Sequence, residues 1–357
     1  MKILLLGGTG AIGRDLSLAL SRENVKIFIT SRSKHTSVNS VHYIQGNAKD
    51  KAFLSTILVE KFDAIVDFMN YTEQEFRDSI SILLRSTSCY YFLSSSRVYA
   101  NSIEPITEAS STLLETATDS EYKASNEYGL TKAKEENILR NSNYKNWVIL
   151  RPYIIYSDSR FQLGALEKED WLFRVLEGKS IVMQKSLLQK TTTLTYSSDA
   201  AEVISSIILT NKSRQHIFNI VGSYKCQATW GEVLQIYKEI LEEKLNRKIR
   251  VFLLSDTQSK QLRKGKAYFQ TSFDRMYNRI FDNSSITAFK CSESYIPIRE
   301  GLNKSLDNFL ENPRFQFVNY AQEALIDRFT GEWSNIFKIS GFKHKIMYLF
   351  YRLIKKY

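Results

Sequence analysis

The sequence is short of the residues that hold small or metal-bound folds together. Its 357 residues include three cysteines, Cys89, Cys226 and Cys291, without paired spacing, and four histidines, His35, His42, His216 and His344, that form no ligand cluster. Neither a disulfide framework nor a metal site is expected, and a reducing cytoplasm is the default compartment. Only four prolines, Pro105, Pro152, Pro297 and Pro313, interrupt the chain, and no internal repeat or low-complexity tract is visible. No apolar run approaches the roughly 18–20 residues that a membrane-spanning helix needs. The opening run Met1–Leu6 is too short for the apolar core of a secretory signal, so an exported or membrane-integral protein is not expected. Acids are outnumbered, 38 Asp+Glu against 49 Lys+Arg, and the net charge of +11 asks for an anionic partner or a local basic segment.

What is present is globular: 43% of residues are apolar and 24% charged, enough for one large domain or two smaller ones. The run KILLL (2–6) breaks into GGTGAIG (7–13) and then into the amphipathic stretch RDLSLALSREN. Strand, glycine turn and helix open a nucleotide-binding unit. Apolar or β-branched runs follow at 25–30, 41–46, 63–69, 90–96 and 147–152, with helix-like segments at 73–86 and 120–140 between them. That alternation predicts an α/β fold built on a doubly wound parallel sheet, a Rossmann-type dinucleotide-binding domain over 1–155. Beyond Pro152 the pattern is less regular, with helix-like stretches at 199–210 and 230–245 and strand candidates at 191–197, 216–221 and 249–254. We expect 191–222 to return to the first domain, 156–190 and 223–335 to form a smaller interleaved substrate domain, and 336–357 to be a tail.

Gly7, Gly10 and Gly13 sit directly between a strand and a helix. Glycine suits a turn with unusual backbone angles, a close approach to pyrophosphate, and tight packing of helix on strand. The N–H groups of the helix start would face the phosphates; a tight turn without ligand is the other explanation. The second strand ends Ile29-Thr30-Ser31-Arg32-Ser33-Lys34, without the carboxylate that usually bonds the ribose hydroxyl of NAD. Arg32 with Lys34 can instead pair with a 2′-phosphate, so the cofactor is read as NADP or NAD with NADP preferred, against the alternative of a solvated basic loop. Contacts to it are expected from Gly7, Thr9, Gly10, Ile12, Gly13, Ser31, Arg32 and Asn47, and from Tyr128 and Lys132.

Tyr128 and Lys132 stand four apart and share one helical face. A free phenol is a poor base at neutral pH, and an adjacent ammonium stabilises its phenolate. Such a pair suits proton transfer at a hydroxyl while hydride moves to nicotinamide. It is informative only beside the glycine turn and a hydroxyl donor from another strand. Ser94-Ser95-Ser96 supply that donor at the carboxyl end of a predicted strand, where a serine can bond the reacting oxygen; a plain strand-to-loop transition is the alternative.

With these motifs the sequence resembles the extended short-chain dehydrogenases/reductases of the nucleotide-sugar epimerase/dehydratase family. The likeness rests on GGTGAIG, the serine run before Val98-Tyr99, Tyr128 with Lys132, Arg151-Pro152-Tyr153-Ile154-Ile155-Tyr156, Thr195 to Ala201 with Asp199 starting a helix, and Phe218-Asn219-Ile220 followed by Thr229 to Glu232. It covers about residues 1–310. By this resemblance Tyr128 is the acid/base, Lys132 tunes it and binds the nicotinamide ribose, and Ser95, with Ser96 as fallback, completes a catalytic triad. The implied activity is a 4-epimerase or 4-ketoreductase of a nucleotide-activated sugar, with a homodimer as the possible assembly.

The chain also departs from that family. Dehydratases carry Asp-Glu where Ser96-Arg97 stands, which disfavours water elimination. Gly46-Asn47 replaces Gly-Asp beside the adenine, Asp67-Phe68-Met69-Asn70 replaces small residues, and Thr192 stands where relatives place a diphosphate-gripping arginine. The basic stretch with Lys260, Arg263, Lys264, Lys266, Arg275 and Arg279 is either a replacement anion site or solvated charge. Phe281 to Ile286 resembles a subgroup that includes chloroplast RNA-binding relatives, so a competing class is an RNA- or partner-binding protein on the same fold; the intact Ser95, Tyr128 and Lys132 argue against nucleic acid.

From Ile336 to Tyr357 there are six basic residues and no acid, more than half of the net charge. Ile346, Leu349, Phe350, Leu353, Ile354 and Tyr357 recur at helical spacing, with Lys345, Arg352 and Lys356 on another side. Such a helix either touches an anionic membrane surface peripherally or docks on protein.

Overall fold

The computed structural model describes residues 1–210 and 212–354. Lys355, Lys356 and Tyr357, part of the expected basic tail, lie outside the described residues. The chain separates into two compact units: Met1–Ile155 with Thr193–Gln227 and Ile280–Ile298, and Tyr156–Thr192 with Ala228–Arg279 and the chain from Arg299 onward.

The first unit is a parallel sheet of strands β1 (Lys2–Leu6), β2 (Lys26–Ser31), β3 (Val41–Gln45), β4 (Phe62–Asp67), β5 (Thr87–Leu93), β6 (Trp147–Pro152) and β7 (His216–Ile220), in the order β7-β6-β5-β4-β1-β2-β3. In β1, Ile3, Leu4, Leu5 and Leu6 are fully buried, as a strand covered on both faces requires, which is why it reads as an unbroken apolar run. Ile3 pairs with Ile27 of β2 on one side and Ala64 of β4 on the other. The chain order reverses between β1 and β4, and ligands of open α/β sheets bind at the carboxyl ends of such strands.

Helix α1 (Ala11–Ser21) buries Ile12, Leu16 and Leu20, one stripe at i, i+4 and i+8. Helix α2 (Glu73–Arg85) starts at a reciprocal cap between Thr72 and Glu75. The expected helix over 120–140 is broken: Ser120–Ala124 forms one turn, Asn126 is left-handed at φ 46°, and α3 (Tyr128–Arg140) begins afresh under the Glu127 carboxylate, which accepts from Gly129 N at 2.7 Å. The break sets Tyr128 in the first turn of α3 instead of mid-helix. Helix α4 (Ser197–Thr210) packs Ala200, Ile204 and Ile207 into the same core as α1.

Two expected boundaries are corrected. Residues 280–298 belong with the first unit, not with the substrate domain: Ile106 N donates to Ile280 O at 2.8 Å, Asp282 N donates to Ile106 O at 3.0 Å, and Ile286 and Tyr295 are buried in the α1–α4 core. The segment from 336 is not a separate tail. Helix α5 (Tyr320–Thr330) and helix α6 (Phe342–Leu353) share an apolar cluster of Ala324, Ile339 and Tyr348.

The second unit holds a parallel strand pair, Ile181–Gln184 with Val251–Leu254, and a buried charge cluster. Arg174 reaches Glu323 at 2.6 Å, Asp327 at 2.9 Å and Glu332 at 2.7 Å, and Lys179 reaches Glu323 and Asp327 at 2.7 Å each. Every buried charge there has an opposite partner, as burial demands. The cluster ties α5 to the helix Lys168–Leu176.

Candidate active site

At the carboxyl ends of β1, β2 and β4 lies an open cleft of about 390 Å³ lined by Gly7, Thr9, Ser31, Arg32, Asn47, Lys49, Phe68, Met69 and Asn70, among others. Five residues named from the sequence, Gly7, Thr9, Ser31, Arg32 and Asn47, thus line one cleft, while Gly10, Ile12, Gly13, Tyr128 and Lys132 are not among its lining residues. Gly7 has φ +67°, a backbone conformation that favours glycine, and a Cβ there would stand 2.7 Å from Met69 Sδ, which would have to shift. Gly13 packs the helix on the turn: an added Cβ would meet Gly8 O at 2.4 Å. Ile12 is a core residue of α1. Gly10 caps α1 without a side-chain hydrogen bond, the first turn carries no acid, and nothing lies within 4 Å of a Cβ built there. Unpaired N–H groups at a helix start that faces open space suit an anion.

Arg32 is exposed at the mouth of this cleft, and no ion pair to a carboxylate is seen for it among the described residues. Asn47 accepts from Lys49 N at 3.1 Å through its side-chain oxygen, which leaves its amide N–H₂ to point elsewhere. Phe68, Met69 and Asn70, the bulky departure at the end of β4, line the same cleft, with Met69 against Gly7.

The three serines after β5 differ in what they bond. Ser94 donates to Glu136 at 2.5 Å and Ser96 donates to Arg151 O at 2.8 Å. Ser95 accepts from Arg97 N at 3.2 Å, so its own proton is not committed to either of the acceptors its neighbours use. Ser96, the fallback, is fully buried. Tyr128 is 38% exposed, with the Arg97 guanidinium 5.2 Å from its ring centre and the Lys132 ammonium 6.0 Å from it. Arg97 is ion-paired to Glu127, the cap of α3. The turn Ser96–Val98 lies against α3 so closely that a Cβ on Gly129 would stand 2.6 Å from Arg97 O. Ser95 and Tyr128 are therefore carried on two segments in direct contact.

Lys132 is buried and donates to Met69 O at 3.3 Å, which joins the α3 residues to the cleft wall. Its ammonium lies 4.6 Å from the Phe92 ring centre and 3.0 Å from the Glu135 carboxylate. Beyond it, Asp67 at the end of β4 accepts from Tyr90 OH at 2.7 Å, Tyr71 OH at 2.9 Å and Met69 N at 2.9 Å. Burial raises the Asp67 carboxyl above its usual range against the pull of these donors and of Lys132. Burial likewise pushes Glu135 up to about 7, opposed by Lys132. Glu135 was not singled out from the sequence, and Asp67 and Arg97 were named only as departures from the family pattern, without a role in the site. An acid closing the apolar run of β4 was the available signal for Asp67; Glu135, one of two consecutive glutamates on a helix, reads as solvated.

A second buried network anchors the frame. Arg151 of β6 holds Glu136 of α3 through two bonds, at 2.9 and 2.5 Å, and donates to Tyr99 OH at 2.6 Å; Tyr99 OH donates to Asn219 at 2.7 Å. In the second unit, Thr192 is fully buried and its hydroxyl has no partner, so the position brings no charge to a diphosphate. Of the two readings of the basic stretch Lys260, Arg263, Lys264, Lys266, Arg275 and Arg279, a replacement anion site or solvated charge, neither describes Arg275 and Arg279, which are buried and both held by Asp274. Among the described residues no cluster suited to a metal ion occurs, and no helix is long and apolar enough to cross a membrane.

A doubly wound parallel sheet, a glycine turn opening onto a cleft, and a Tyr-Lys helix beside a serine turn define a dinucleotide-binding α/β protein. Residues 3–221, more than half of the chain, match the model of the NAD dependent epimerase/dehydratase family, and the chain belongs to that family. It is similar to the chloroplast stem-loop binding protein of 41 kDa b of Arabidopsis thaliana, 28% identical over 239 residues, which are 62% of this chain and 58% of that protein. The chain therefore spans less than two thirds of that relative. Among solved structures it resembles UDP-glucuronic acid 4-epimerase of Bacillus cereus in complex with UDP-glucuronic acid and NAD (16% identity, TM-score 0.64, 87% of this chain and 99% of that one). UDP-glucose 4-epimerase of Bifidobacterium longum with NAD⁺ and UDP is comparable (17% identity, TM-score 0.63, 88% and 99%). At such identities the likeness establishes the fold.

Proposed function

We propose that the protein is a cytoplasmic NAD(P)-dependent epimerase or ketoreductase that transfers hydride at a secondary hydroxyl or keto carbon, the 4-position, of a nucleotide-activated sugar. The observation that carries this reading is that Lys132, one turn after Tyr128, bonds Met69 of the cleft while the turn that follows Ser95 packs on the start of α3. A dinucleotide is the ligand this cleft suits: Gly10 leaves open space for phosphates at the start of α1, and Gly7, Arg32 and Asn47 line the cleft. Bound nicotinamide would supply the hydride acceptor and donor. Tyr128 takes the proton from the sugar hydroxyl at its phenol oxygen and returns it. Ser95 donates its uncommitted proton to the reacting oxygen, and Lys132 supplies positive charge on the same helix face. NADP preference rests on Arg32; the solved neighbours named above carry NAD, which weighs the other way.

Tyr128→Phe tests the mechanism. With a panel of nucleotide sugars, turnover is expected to fall by roughly 10²- to 10⁴-fold while nucleotide binding persists. A Phe variant that turns over like the wild type refutes it. The competing reading, an RNA-binding protein on this fold, is favoured by the name of the Arabidopsis relative. Stem-loop RNA retained at moderate salt by nucleotide-free protein would support that reading.

A further inference from the structure

We propose that helix α6 docks the protein on an anionic lipid surface. The helix presents two unlike faces. On one, Tyr348 is buried, donates to Asp327 at 2.7 Å and accepts from Ser334 N at 2.8 Å, while Leu349 and Tyr351 pack on the cluster shared with α5. On the other, Phe342, Ile346, Phe350 and Leu353 are 79%, 52%, 44% and 62% exposed. Their spacing of i, i+4, i+8 and i+11 makes a single stripe along the helix. Phe337, 93% exposed, stands just before it. The stripe is thus not the side of α6 that meets protein, although its residues are as apolar as those that do.

Charge selects the occupant. Between Trp333 and Tyr357 the sequence has no acid. Lys343 stands exposed beside the stripe and Lys345, half-buried, stands on the side of Tyr348 and Leu349, and no carboxylate pairs with either among the described residues. A second copy of this chain would set one basic face on another, so self-association through α6 is opposed by repulsion. An aromatic and aliphatic stripe with Lys343 at its edge, on a segment without acids, fits the boundary between headgroups and acyl chains, with the helix in the plane of the surface and its basic side chains among anionic headgroups. At 12 residues, α6 is too short to span a bilayer. The docked face stays on α5, so surface binding needs no unfolding of the second unit.

The experiment is flotation of the full chain with vesicles of phosphatidylcholine alone or with phosphatidylglycerol added. Binding is expected only with phosphatidylglycerol, weakened by salt, and reduced about tenfold or more by Ile346→Asp. Lys343→Gln with Lys345→Gln gives a second reading that leaves the apolar stripe intact and is expected to lower binding too. Because these side chains lie outside the core, the thermal midpoint should stay at the wild-type value. Wild-type protein that ignores phosphatidylglycerol vesicles, or variants that float with them like the wild type, overturns the proposal. So does a concentration-dependent dimer that Ile346→Asp dissolves without vesicles, since the stripe would then be a protein interface.

Discussion

Replacing Glu135 with Gln removes the buried acid beside Lys132 at nearly constant shape, and its effect should depend on pH. The carboxyl is fully buried in the first unit. It faces Lys132 on its own helix and the field of Asp67 from β4, with Lys49 contributing attraction; Tyr71 and Tyr90 stand on the far side of Asp67. Burial moves its pKa from 4.5 to about 7. At ~1.4 kcal/mol per pH unit, that difference corresponds to about 3 kcal/mol. As pH rises through 4.5 the unfolded chain releases this proton first, while the folded chain keeps it until about 7. The folded state therefore binds more protons across that window, and this group's contribution to stability declines as pH rises. The Gln variant lacks that decline. Urea unfolding of both proteins at several values between pH 4.5 and 8.5 should show the stability difference, variant minus wild type, growing by about 3 kcal/mol toward the alkaline end. Effects of the amide that do not depend on pH cancel in this comparison. A difference that stays flat, or shrinks, would mean that Lys132 compensates Glu135 fully and that the acid is held ionised throughout.

Other consequences follow from the same geometry. Arg151→Met strands the buried Glu136 carboxylate and should destabilise the protein by about 3–5 kcal/mol in urea unfolding, with much of the loss recovered by adding Glu136→Leu; a loss under about 1 kcal/mol would show that the network is dispensable. Gly13→Ala forces a Cβ to 2.4 Å from Gly8 O and should lower stability by about 1–3 kcal/mol. Gly10→Ala meets nothing within 4 Å, so it should fold normally and weaken dinucleotide binding alone, both checked by melting and titration. Arg32→Ala should reduce affinity for NADPH about tenfold and leave NADH unchanged, as expected for loss of one charge-assisted contact; equal effects on both would remove the basis for NADP preference.

Much of the frame was legible in the sequence because fully buried strands are written as unbroken apolar runs, and KILLL, DAIVD and WVILRP each became a strand of the central sheet. The glycine turn was legible because its steric demands are local. Residues 280–298 were not: Phe281 to Ile286 has neither helical nor strand periodicity, and it joins the first unit through a bridge to Ile106 that no local pattern encodes. The start of α3 was misread because the left-handed residue that breaks the helix is Asn126, not a glycine. Glu135 escaped notice because a helical acid reads as solvated until the partners on β4 and β5 bury it. In α6 the helical spacing was visible, but Tyr348, which fixes the docked face, carries a hydroxyl whose partner lies on another helix.

The proposed activity requires that the cleft lined by Gly7 and Asn47 hold a nicotinamide dinucleotide for Tyr128 to work beside. Its most direct test is to strip the purified full chain of nucleotide, identify what is released by mass spectrometry, and titrate the stripped protein with NAD(H) and NADP(H) in a calorimeter. A nicotinamide dinucleotide is expected to be released from the protein or bound at one per chain on titration, with binding weakened by Gly10→Ala. Protein that neither carries such a nucleotide nor binds one at millimolar concentration would contradict it.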